Sequence, residues 1–160
     1  MTTTAPFSWG SSYLNTTPTG EVDLDPAGLL AVQQVLARYV FALDHGDLVA
    51  LGSILTEDTV WTANIADTVE QGPIIGRAAM LDLVRETTET QTDQRRHNLV
   101  NIVFHRADSD MAVVWAYLML TSNAVGCATV IATGFYKFTL RHDESEWRIA
   151  KVFVGLDNAA

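Results

Sequence analysis

From His97 to Val154 the sequence is an almost unbroken series of apolar, β-branched and aromatic runs: HNLVNIVF, MAVVWAYLML, CATVIATGFYKFTL and EWRIAKVFV. Only short polar turns separate them, Ala-Asp-Ser-Asp, Asn-Ala-Val-Gly and His-Asp-Glu-Ser. Connections that short join antiparallel neighbours, so this half of the chain predicts a meander of long strands. A sheet with an apolar face must cover it, and the N-terminal half carries the cover. Leu29, Val32, Leu36, Tyr39, Val40 and Leu43 recur at three- and four-residue steps, which predicts a helix from Pro26 to His45-Gly46. Asp25 supplies its N-cap, Pro26 its first residue and Gly46 a left-handed stop. Asp47 caps a short second helix, LVALGSIL, and Asp58 opens a β-rich run, TVWTANI. Gly72, Pro73 and Gly76 punctuate the chain before a third helix, RAAMLDLVRETTE. Helices first and strands afterwards predict an α+β domain, its helices packed on one face of a curved antiparallel sheet. A sheet that curls around helices leaves a concave space, and such clefts take small ligands.

At 160 residues the chain is one domain's worth, and at that size roughly 70 % of the extended surface is buried on folding. The expected division is a flexible N-terminal arm over 1–24 and one domain over 25–157. The arm is rich in Thr, Ser, Gly and Pro, yet carries Phe7, Trp9 and Tyr13. Two readings stay open for it: a free tail, or a segment docked on the body or on a neighbouring subunit. Ten Lys and Arg against nineteen Asp and Glu give a formal charge of −9. That balance argues against nucleic acid or an anionic membrane surface as partner, since both demand a basic face. No run is expected to approach the ~20 apolar residues of a membrane span. The start lacks the basic and continuous apolar regions of a secretory signal. A single cysteine, Cys127, cannot staple the chain and fits a reducing cytoplasm.

Two residues stand out chemically. On the run 97–104, alternate residues share a face, so His97, Leu99, Asn101 and Val103 are expected on one side and Asn98, Val100, Ile102 and Phe104 on the other. A face mixing apolar groups with an imidazole and an amide suits a pocket wall; the plainer reading of His97 is a satisfied histidine at a strand end. In the first helix Leu36, Val40 and Asp44 form one i, i+4 row, so Asp44 extends the apolar stripe. It also sits in the last turn, where the helix dipole disfavours a carboxylate by several tenths of a kcal/mol. Either a partner holds it ionised, and a histidine donating from one ring nitrogen would do so, or it is an exposed helix-end aspartate bonded to Gly46 or Asp47. Tyr39 lies one turn before Leu43 on the buried side, within reach of a cavity. Trp61, Trp115 and Tyr117 are strand aromatics, readable as cavity lining or as plain core.

His45, His105 and His142 show no metal-ligand spacing, and there is no Cys-x-x-Cys. No phosphate loop, nucleotide-binding glycine motif or Gly-x-Ser-x-Gly elbow occurs. Neither a metal nor any other cofactor is expected.

The segments VLARYVFALDHGDLVALGSILTEDTVW, GRAAMLDLV and RRHNLVNIVF, in that order, resemble the SnoaL-like branch of the nuclear transport factor 2-like superfamily. The resemblance covers about residues 26–155 and implies a cone-shaped α+β barrel around a deep apolar cavity. In the dehydratase and dehydrochlorinase members a histidine and an aspartate form a dyad inside the cone. Matched by motif, these fall on His97 and Asp44, a cavity tyrosine on Tyr39 and a cavity tryptophan on Trp61. The further polar group those members take from a later strand or the C-terminus has no clear match here: only Thr121, Ser122 and Asn123 are offered. The resemblance implies a homo-oligomer, dimer or trimer, with a small-molecule substrate. The function expected is a cofactor-free lyase of dehydratase type acting on a small apolar oxygenated molecule such as a polyketide, terpenoid or steroid-like intermediate. His97 would be its base, Asp44 would orient and stabilise His97, and Tyr39 with Asn101 would receive developing negative charge. Trp61, Trp115 and Tyr117 would line the cavity. An isomerase or cyclase sharing the first proton transfer, and a ligand-binding module without catalysis, are the rival expectations.

Overall fold

The computed structural model of the protein describes residues 20–158. Phe7, Trp9 and Tyr13, with most of the expected arm, lie outside the described residues. Helix α1 spans Pro26–His45, and the Asp25 carboxylate accepts from the Gly28 amide at 2.7 Å to cap it. Gly46 ends the helix in the left-handed region at φ 63°, its amide donating back to the carbonyls of Ala42 and Leu43. Asp47 caps α2, Leu48–Ser53. Strands β1 (Leu55–Ile65) and β2 (Val69–Ile75), helix α3 (Arg77–Thr90), and strands β3 (Gln94–Ala107), β4 (Met111–Ala124), β5 (Cys127–Asp143) and β6 (Glu146–Leu156) complete the order.

The sheet runs β2-β1-β6-β5-β4-β3. Its neighbours are antiparallel with one departure from the expected pattern: β1 and β6 are parallel. A parallel pair needs a long connection, and everything from β2 to β5 lies between those two strands. The second departure is β2 itself, which contains the Gly72-Pro73 pair read from the sequence as punctuation. It lies at the sheet edge, where a proline without an N–H sacrifices no ladder bond. The chain also joins the body earlier than expected. The Asp23 amide donates to the Ala107 carbonyl at 2.7 Å and the Ala107 amide to the Glu21 carbonyl at 3.1 Å, so residues 21–23 run beside the end of β3.

The core lies between α1 and the inner face of the sheet. Val32, Leu36 and Tyr39 pack with Val114 and Leu118 of β4, Tyr136 and Phe138 of β5, and Val152 and Val154 of β6. By length and composition α1 is apolar enough to cross a membrane, and the buried third of that stretch, Val32, Leu36 and Tyr39 among it, faces this core.

Strand β3 does not keep strict alternation. Val100 pairs with Tyr117 and Val103 with Trp115, so three steps on β3 match two on β4. Asn101 sits in this bulge at φ 54°, and one extra residue exchanges the two faces beyond it. Leu99, Ile102 and Phe104 therefore face the core, whereas Val100 and Val103 are exposed.

Gly46 holds the last turn of α1 in place, and a Cβ there would lie 2.8 Å from the Thr88 Cγ2 of α3. Gly46→Ala combines that contact with a left-handed backbone. It is expected to lower unfolding stability by about 1–2 kcal/mol, measured by urea denaturation; an unchanged midpoint would show that the turn relaxes freely.

Candidate functional site

The last turn of α1 meets the first residues of β3, and there Asp44 finds its partners. His97 donates its backbone amide to both Asp44 carboxylate oxygens, at 3.1 and 3.2 Å. Its ring Nδ1 lies 2.7 Å from Asp44 Oδ1. The Asp44 side chain is only 7 % exposed and that of His97 18 %, so the pair is withdrawn from bulk water. A carboxylate accepts and does not donate, so in the neutral imidazole the proton sits on Nδ1 and Nε2 is the bare nitrogen. Three donor contacts from one residue compensate a carboxylate set at the negative end of a helix.

His97 lines a cavity of about 160 Å³. Helix α1 contributes Tyr39 and Leu43 to it, β1 contributes Trp61, and α3 closes the opposite side with Met80, Val84 and Thr88. Arg95 stands beside His97 on β3, and Tyr136 comes from β5. The Thr87 and Thr88 hydroxyls are spent on α3 carbonyls at 2.8 Å each. Tyr39 and Tyr136 are buried, with ring centroids 6.1 Å apart in an edge-to-face arrangement. Both residues line the cavity, and a phenolic O–H there can donate to a bound oxygen. Burial pushes the Tyr39 hydroxyl well above the ordinary tyrosine range, and Tyr136 beside it adds to the effect. Burial does the same to Tyr136, reinforced by the Asp44 carboxylate. Both rings therefore remain protonated donors at neutral pH.

Of the residues singled out in the sequence, His97, Tyr39 and Trp61 line this cavity, and Asp44 is bonded to His97 without lining it. Asn101, Trp115 and Tyr117 do not line it, and the expectation that they do is corrected. Asn101 is displaced by the bulge and exposed. Trp115 and Tyr117 stand on the outer face of β4, opposite the buried Ala116 and Leu118. Trp115 stacks on Phe135 at 5.6 Å, with the Lys137 ammonium 5.0 Å from its ring centroid. Tyr117 is half exposed. Sequence reasoning missed Tyr136 and Arg95, although a signal existed for both. Tyr136 alternates with Phe138 and Leu140 on an inward face, and Arg95 alternates with His97. No group of three His, Cys, Asp or Glu placed to hold a metal ion occurs among the described residues.

A SnoaL-like domain model matches residues 29–152. A solved structure of a protein from Catenulispora acidiphila has 25 % identity and a TM-score of 0.71, covering 82 % of this chain and 92 % of its own. A second from that organism, in complex with S-DNPA, has 23 % identity and a TM-score of 0.69, covering 81 % and 95 %. An NTF2-like protein with a cystatin-like fold from Novosphingobium aromaticivorans has 20 % identity and a TM-score of 0.66, covering 78 % of each chain. None of the curated proteins compared with the chain matches it.

The tautomer is directly measurable. At a pH where the ring is neutral, ¹⁵N NMR of His97 is expected to show a protonated Nδ1 and a bare Nε2, and Asp44→Asn is expected to mix the tautomers. A protonated Nε2 in the unaltered protein would remove the base from the cavity.

Proposed function

The chain belongs to the SnoaL-like family, and on that premise we propose that it is a cofactor-free lyase of dehydratase type acting on a compact, largely apolar, oxygenated molecule. One observation carries the reading: the 2.7 Å contact of His97 Nδ1 with Asp44, which leaves Nε2 as a base in an apolar cavity. Nε2 removes a proton from a carbon next to a carbonyl. Asp44 holds the required tautomer and stabilises the imidazolium as it forms. Electron density moves onto the carbonyl oxygen, and the Tyr39 and Tyr136 hydroxyls donate to it. Collapse of that enolate expels a hydroxyl as water, with the imidazolium returning the proton. A positioned base supplies roughly 10²- to 10⁴-fold in rate, and preorganised donors a comparable factor. Trp61, Met80 and Val84 supply the apolar wall. At about 160 Å³ the cavity is smaller than the ~300–1,000 Å³ of sites for drug-sized ligands, which favours a compact substrate. Reprotonation of the same enolate elsewhere would make the enzyme an isomerase, and internal attack would make it a cyclase. The identity of the product decides among them.

The first proton transfer can be followed before the natural substrate is known. Small β-hydroxy ketones incubated with the protein in D₂O are expected to exchange the proton α to the carbonyl, read by NMR, and to lose water, read by mass. Asp44→Asn preserves size and hydrogen bonding but cannot stabilise a charged imidazolium. It is expected to slow exchange at least about a hundredfold while affinity changes far less, because the lost interaction belongs to the transition state. A parallel fall in affinity, exchange and melting temperature would make the pair structural and the protein a binding module.

A further inference from the structure

Arg95 precedes His97 by two residues and lines the same cavity. Its guanidinium is held from one end. Nε donates to both oxygens of Asp93, at 3.3 and 3.4 Å, and Asp93 is only 14 % exposed. The Ser122 hydroxyl, together with Arg95, keeps the Asp93 carboxyl below the usual carboxylate range, so the anchor is charged at neutral pH. The Gln91 side-chain amide fixes the same turn by donating to the Asp93 carbonyl at 2.7 Å. With Nε engaged, the two terminal amino groups have no partner among the described residues. An arginine fork oriented in this way matches the two oxygens of a carboxylate.

Charge makes this group matter. The chain carries a formal −9, and the Asp44 carboxylate lies directly against His97, which lines the site. An anion approaching this cavity is repelled unless a cation receives it, and Arg95 is the cation on the cavity wall. We infer that Arg95 makes the cavity selective for compact apolar carboxylates, the carboxylate lying end-on against the two terminal amino groups. Alternate residues of a strand are about 6.6 Å apart. The carboxylate therefore marks the outer end of the molecule, and the carbon skeleton runs inward past Trp61 and Met80 to His97. The anion is thus a handle on the substrate, several bonds from the carbon that reacts. This assignment rests on the proposed reading of the cavity as the substrate site.

The test uses trans-cinnamate and its neutral amide, trans-cinnamamide, as matched probes, titrated by calorimetry into the full-length protein. The carboxylate is expected to bind at least about tenfold more tightly than the amide. Arg95→Met keeps the length of the apolar stem and is expected to abolish that preference while the protein stays folded and still binds the amide, with some loss of melting temperature from the Asp93 ion pair. Arg95→Lys is expected to retain part of the preference. Equal affinities in the unaltered protein, absence of binding by both probes, or a preference that survives Arg95→Met would each overturn the assignment. The same titration on Asp44→Asn separates this claim from the catalytic one. Carboxylate preference is expected to persist there, so failure of the exchange assay would refute the lyase and leave the Arg95 result standing.

Discussion

The buried carboxylate of Asp44 is the group around which the rest is arranged. It stands at the electrostatically unfavourable end of α1, and it is sequestered from water. Leaving such a charge unpaired costs several kcal/mol, and pairing it well requires donors that cannot drift. His97 supplies them from a backbone amide and a ring nitrogen at once. Because one donor is backbone, the contact fixes where β3 begins as well as how the imidazole points. The Gln94 side chain adds a hydrogen bond to the Asp44 carbonyl at 3.3 Å, so the helix end and the strand start are joined on both main chain and side chain.

That junction sets the cavity. With α1 pinned to β3, the aromatic pair Tyr39 and Tyr136 comes to lie under the helix, braced by Phe138 at 5.4 and 5.0 Å respectively. Helix α3 then spans the open side. The parallel pairing of β1 with β6 brings Trp61 opposite Val152, and so onto the wall of the cavity. Polar groups are few, and hydrogen bonds to neighbours orient the His97 ring and the Arg95 guanidinium. An arrangement of this kind is preorganised, which is what stabilisation of a developing charge requires.

Fold membership alone leaves the chemistry open, because one scaffold hosts enzymes of several reaction types and proteins that only bind. The functional reading therefore rests on the local geometry of Asp44, His97 and the two tyrosines. The outer face of the sheet plays no part in it. Its exposed side chains, among them Val100, Tyr117, Met119 and Val130, are remote from the cavity by the pleat of the strands.

Periodicity determined much of this protein without help from the tertiary structure. The helical stripe from Val32 to Leu43, the caps at Asp25 and Gly46, and the strand runs after His97 are local patterns, set by geometry within a few residues. Asp44 was legible for the same reason, as a charge on an apolar row, and its complement His97 as an imidazole heading an apolar strand. Other features required the assembled sheet. The run MAVVWAYLML is apolar on both parities, so nothing local says that Val114 and Leu118 turn inward and Trp115 and Tyr117 outward; packing against α1 decides it. Asn101 was misplaced because alternation assumes equal steps on paired strands. A bulge adds a residue to one of them, and its position depends on the partner strand. Tyr136 and Arg95 acquire meaning only where β5, β3 and α1 converge. A cavity belongs to several elements at once, and no window along a single chain contains it.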